Sequence, residues 1–181
     1  MKTYIIICMV ALLSSCASKR QTVVSSPETY LPALQTLELN PDKYKSHQKY
    51  YDEVMGQMIT WLNQINSPEQ LRTLFWKCLS ASRTSPEVPQ ERLQWIDPYA
   101  ESGNLILYRL ADMHTPESAK VLVDLWSDPK AGWDGGSAEM AGDAVVKCGE
   151  PALSFLKNKK DSGGNTARLI KLIETGVKTG L

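Results

Sequence analysis

Only two histidines, His47 and His114, occur in 181 residues, and the four cysteines form no Cys-x-x-Cys pair and no cluster with histidine. The common zinc patterns are therefore missing, and no metal is expected. Neither histidine sits in a recognisable acid–base motif. His47 lies among Lys43, Lys45 and Lys49, and His114 falls at a break between helices, where the negative end of a helix dipole suits it. Gly-x-Ser-x-Gly, His-Glu-x-x-His, the P-loop and Gly-x-Gly-x-x-Gly are all absent, so no hydrolase, nucleotide or dinucleotide signature points to an enzyme or a cofactor. A basic excess is also lacking, with 20 Lys and Arg against 20 Asp and Glu. Without cationic surplus to neutralise phosphates, nucleic acid is not an expected partner.

Long apolar runs are scarce as well. The main one, Thr3 to Leu13, is too short to span a bilayer and follows the positive Met1-Lys2. It ends in Leu13-Ser14-Ser15-Cys16, small residues leading to a cysteine. This arrangement resembles the lipobox of bacterial lipoproteins, which implies cleavage after residue 15 and lipid on Cys16. Ala17 follows that cysteine instead of Asp, which in sorted lipoproteins implies release to the outer membrane, with the body on the periplasmic side. Loss of residues 1–15 removes Lys2 alone, leaving 19 basic side chains against 20 acidic ones. A near-neutral body would not hold anionic lipid by itself, so attachment falls to the acyl chains. Residues 16–26 read as a polar tether, and residues 27–181 as one domain large enough for one core.

Helix starts are written in a repeated grammar. Ser26-Pro27-Glu28, Ser67-Pro68-Glu69, Ser85-Pro86-Glu87 and Thr115-Pro116-Glu117 each offer a capping hydroxyl, a proline with preset φ, and an acid at the positive helix end. Asn40-Pro41-Asp42 opens a further helix to about Ile65, with Tyr51, Val54, Met55, Met58, Leu62 and Ile65 as its apolar stripe. A second stripe, Leu71, Leu74, Phe75, Cys78 and Leu79, predicts a helix from Pro68 to about Ala81, antiparallel to the first. Prolines 86, 89 and 98 make residues 83–98 an ordered loop, with one or two helical turns at Gln90 to Ile96. Asn104 to Met113 is apolar almost all round. A strand there would have no partner, so a buried helix is expected. Helices are also predicted over 116–126, 137–148, 151–159 and 166–175. On 137–148, the small residues Ala138, Ala141, Val145 and Cys148 form a narrow stripe suited to close helix approach.

Ala141 to Leu156 reads as helix, break at Gly149, then a helix opened by Pro151. Arg109 to Pro116 repeats that layout, and Pro116 and Pro151 lie 35 residues apart. The period and the Gly-Glu-Pro-Ala-Leu-Ser-Phe-Leu run resemble the HEAT-like helical repeat family. That resemblance implies an all-α solenoid of about seven to eight helices in antiparallel pairs, with repeats best defined over 104–176.

Four residues are candidate partner contacts. Trp133 and Asp134 lie on a glycine-rich stretch, Ala131 to Gly136, and Trp95 and Tyr99 flank the proline-rich loop. Trp133 either anchors in a partner's pocket or folds back over the helices, and Asp134 suits a turn. Glu91, Asp97 and Glu101 form a small acidic set near Trp95 and Tyr99, the kind of grouping found in glycan-handling clefts. Cys78 and Cys148 are left after Cys8 departs with the signal and Cys16 takes lipid; they either form a disulfide or pack as free thiols. The expected function is a non-enzymatic, outer-membrane-anchored protein-binding solenoid, with no small-molecule ligand. Two alternatives stay open: an immunity lipoprotein that neutralises a periplasmic toxin, and a peptidoglycan-binding protein or enzyme.

Overall fold

The structure is a computed structural model, and it describes residues 23–84, 97–133, 135–159 and 165–176. Eight α-helices make up these residues: α1 (Pro27–Leu34), α2 (His47–Leu62), α3 (Pro68–Thr84), α4 (Pro98–Met113), α5 (Pro116–Ser127), α6 (Gly135–Cys148), α7 (Glu150–Lys157) and α8 (Asn165–Thr175). No strand occurs among the described residues. None of the helices is long and apolar enough to cross a membrane.

Capping chemistry sets most of the boundaries. Thr115 Oγ1 accepts from Ser118 N at 3.1 Å while Ser118 Oγ accepts from Thr115 N at 3.2 Å, a reciprocal box that starts α5. At α1, Thr29 Oγ1 accepts from the Ser26 N–H at 3.2 Å. The Asn40-Pro41-Asp42 signal opens only a 3-10 turn, Pro41–Lys43, instead of the long helix. Asn40 Oδ1 is spent on Asp42 N at 3.0 Å, and the helix restarts at Ser46, whose Oγ accepts from Lys49 N at 3.2 Å. This restart rotates the expected stripe. Tyr50, Val54, Met58, Trp61 and Leu62 are the buried residues of α2, while Tyr51 is 37% exposed.

A second boundary moves further. α4 begins at Pro98, six residues before its apolar run, because Asp97 caps it. Its Oδ1 accepts from Tyr99 N at 2.9 Å and Ala100 N at 3.3 Å. Its Oδ2 accepts from Ser82 Oγ on α3 at 2.9 Å. The carboxylate is thus a helix cap that also ties α3 to α4. Glu101 sits in the first turn of the same helix, and Glu91 lies outside the described residues.

Alternate helices touch in succession. α1 meets α3, α3 meets α5 and α5 meets α7; likewise α2 meets α4, α4 meets α6 and α6 meets α8. Sequence neighbours also pack together, most extensively α3 with α4, except that α2 and α3, expected as antiparallel neighbours, make no comparable contact, and the buried residues form one continuous core. α6 supplies the fully buried Ala141, Ala144 and Val145, and α4 the fully buried Ile106, Leu107 and Leu110. Small side chains on one helix let the larger ones of its neighbour approach closely. Ala138, placed on that stripe by the sequence, is exposed.

The two junctions compared in the sequence share a positive φ but differ in ψ. His114 ends α4 with φ 49 and ψ 30, and Gly149, 35 residues later, separates α6 from α7 with φ 72 and ψ −139. His114 occupies the left-handed region that histidine visits more readily than most residues. Gly149 occupies a region open in practice to glycine alone.

Polar ties between helices add register. Arg109 Nη2 on α4 donates to Asn66 Oδ1 at 3.1 Å and to Ile65 O at 3.4 Å in the α2–α3 turn. Lys147 on α6 pairs with Asp112 on α4 at 2.7 Å. Lys159 pairs with Asp124 on α5 at 2.8 Å, and Lys120 reaches the same carboxylate at 2.7 Å. Burial pushes the Asp124 carboxyl up, but the two lysine hydrogen bonds outweigh that and hold it below its ordinary value.

A candidate binding cavity between α3, α4 and α6

Trp133 and Tyr99, singled out separately in the sequence, line one cavity of about 340 Å³. Phe75, Leu79 and Ala131 give it apolar walls, and Gly103 and Gly132 approach without side chains. A Cβ added at Gly103 would meet only Phe75 Cε2, at 3.8 Å, so the space beside it comes from the missing side chain. Arg83, Ser82, Asn104 and Ser137 bring polar groups to the lining.

Trp133 does not stand free. Its indole N–H donates to Trp126 O at 3.0 Å and Leu125 O at 3.3 Å, two carbonyls in the last turn of α5, of which Leu125 O also accepts from Asp128 N at 3.3 Å. Its ring packs on Phe75 with centroids 5.6 Å apart and planes tilted by 48°. Of the two roles open to it, the indole takes the folded-back one, yet the same placement makes it a wall of the cavity.

Arg83 is the lining residue that sequence reasoning missed. Its Nη2 donates to Ala131 O at 2.9 Å and Lys130 O at 3.2 Å, closing the 3-10 turn Pro129–Ala131 from the end of α3. The guanidinium lies so close to Gly132 that a Cβ there would sit 2.7 Å from Nη2, and Gly132 itself has φ 66. The left-handed φ favours glycine at 132, and a Cβ there would push the guanidinium tip out of its place. The signal available was local only: a basic residue in the last turn of an apolar helix. Its partners lie 47 and 48 residues away in sequence.

The lining carries one ionised side chain among the described residues, the Arg83 cation, and no carboxylate. Ser82 gives its proton to Asp97, Tyr99 gives its backbone N–H to the same carboxylate, and Trp133 gives its N–H to α5. What the walls offer an occupant is aromatic and aliphatic surface interrupted by the polar side chains of Ser82, Asn104 and Ser137, with the positive charge of Arg83 at one side. Trp95, Asp134 and Cys16 lie outside the described residues.

The remaining predicted residues are elsewhere. Cys78 and Cys148 are free thiols, both buried, so the disulfide left open between them is not formed. Cys78 belongs to a polar knot in the core. Ser102 Oγ donates to Pro98 O at 2.6 Å, so Tyr30 Oη is the donor in its 2.9 Å bond to Ser102. Burial pushes the Cys78 thiol up to about 12 and the Cys148 thiol up to about 11, leaving both protonated at neutral pH. His47 is the exposed first residue of α2, and His114 is the exposed cap of α4. Comparison with family models, curated proteins and solved structures finds no match for this chain.

Proposed function

We propose that this chain is a lipoprotein anchored through Cys16 on the periplasmic side of the outer membrane, built as a HEAT-like α-solenoid that binds another envelope protein. The solenoid reading is supported by the two successions of touching alternate helices and by positive φ at His114 and Gly149, 35 residues apart. The lipobox-like Leu13-Ser14-Ser15-Cys16 supports the anchor. One observation carries the binding reading: Tyr99 and Trp133, remote in sequence, meet Phe75 at a single concave site. A rigid helical scaffold presenting aromatic walls around a recess suits an anchor side chain from a partner.

Crosslinking in intact cells tests it, with a photoreactive residue in place of Asn104 on the cavity lining. A discrete adduct to one envelope protein, lost on Gly103→Leu, is the expected result. Absence of any protein adduct would end the binding reading. The anchor is tested separately by Cys16→Ser, which should abolish acyl labelling and release the chain from membranes.

A further inference from the structure

The cavity's chemistry narrows what can enter it. Its depth is set by Phe75, which is 1% exposed, with Leu79, Ala131 and the hydrocarbon of Trp133, whose N–H is already committed to Leu125 and Trp126 carbonyls. An apolar side chain placed against Phe75, Leu79 and Trp133 gains the area it buries there. At the side of the recess stands the Arg83 guanidinium, fixed by two backbone carbonyls, so its position is set before anything binds. A pre-positioned guanidinium is the group best matched to a carboxylate, and no acidic side chain among the described lining residues competes for it. A cationic segment would meet this charge as a repulsion.

We propose that the cavity receives an apolar, preferably aromatic, side chain of a partner polypeptide together with an adjacent carboxylate that pairs with Arg83. This assignment rests on the reading of the chain as a protein-binding scaffold and specifies the partner: an exposed segment carrying Phe-Asp or a similar apolar–acidic pair. Glycine at 103 is then a specificity feature, because any larger residue would occupy the space meant for the anchor.

The test uses the full-length chain in detergent and fluorescein-labelled peptides read by anisotropy: Gly-Ser-Phe-Asp-Gly-Ser, its Phe→Ser form and its Asp→Asn form. Loss of the ring should weaken binding at least about tenfold, as expected for one buried aromatic side chain. Loss of the charge should weaken it about tenfold, as for one hydrogen bond to a charged group. In Arg83→Gln, the Asp→Asn change should have less than about a twofold effect while the Phe→Ser change keeps its full effect, which separates charge recognition from general damage. Gly103→Leu should abolish binding of all three peptides while keeping a cooperative thermal transition. The assignment is overturned if no Phe-Asp peptide binds up to about 1 mM, if Gly103→Leu binds normally, or if the Asp→Asn penalty survives in Arg83→Gln. Displacement of the peptide by a tetramer of N-acetylglucosamine would also overturn it and favour a glycan site. Protein capture in cells that persists in Gly103→Leu would remove this site yet leave the scaffold reading standing.

Discussion

One helix, α4, is filled along its C-terminal half and borders a hollow near its N-terminal end. The C-terminal half buries Ile106, Leu107 and Leu110, and α6, which packs on α4, buries the small residues Ala141, Ala144 and Val145. Toward α3, near its N-terminal end, Gly103 and Tyr99 border a cavity of about 340 Å³. Small residues stand at both places, so smallness alone does not decide between packing and space. What decides is whether the opposing large side chains are free to fill the gap. Beside α6 they are. At the cavity, Phe75 is held in contact with both Trp76 and Trp133, at centroid separations of 5.2 and 5.6 Å, and Trp133 is hydrogen-bonded to α5. Neighbouring rings that are fixed elsewhere cannot collapse onto a glycine.

The filled half should therefore be the most sensitive to truncation. Leu110→Ala is expected to cost about 2–5 kcal/mol, read as a lowered urea midpoint, because it opens a cavity in the fully buried seam. The junctions at either end of this packing differ in the next degree. Gly149→Ala forces a side chain into φ 72, ψ −139 and should cost about 1–3 kcal/mol. His114→Gly changes a residue already tolerated in the left-handed region, and should move stability by no more than about 1 kcal/mol. Equal losses at the two positions would break the distinction drawn between them.

A smaller effect separates the seams by pH. The folded-state pKa of Asp124 is lowered by Lys120 and Lys159, so its contribution is present above the ordinary carboxylate value of 3.8 and is lost as pH falls through the folded-state value. The stability difference between the native chain and Asp124→Asn should accordingly be largest at neutral pH and vanish in acid. The hollow end should show the smallest stability response of all. Gly103→Leu replaces a helical glycine whose Cβ would meet Phe75 Cε2 at an unstrained 3.8 Å, and is expected to leave the thermal midpoint at or slightly above that of the native chain.

Much of the helical layout was legible because it is written locally. The hydroxyl–proline–acid starts at 26–28, 67–69 and 115–117 lead directly into α1, α3 and α5. The start at 85–87 lies outside the described residues. Where two local signals competed, the reading slipped. Asn40-Pro41 and Ser46 both announce a helix, and only the second is followed by enough residues in register with the core; the slip exchanges Tyr51 for Tyr50 and overlooks Trp61. Asp97 before Pro98 is a helix-start signal with the same grammar as Ser-Pro, as well as a member of the acidic set. The cavity was only half legible. Tyr99 and Trp133 stood out as aromatics beside breaks, but no periodicity could show that they face each other across α3. Arg83 was invisible in its role, since its carbonyl partners follow from the tertiary approach of α3 to the turn after α5.

The contrast between the two ends of α4 comes down to what Gly103→Leu does. Thermal stability and in-cell crosslinking from residue 104 should be measured on that one variant, side by side with the native glycine. The account predicts an unchanged or slightly raised melting midpoint with loss of the protein adduct. An adduct of undiminished yield in a folded Gly103→Leu protein would contradict it, because the space beside Gly103 would then serve no partner.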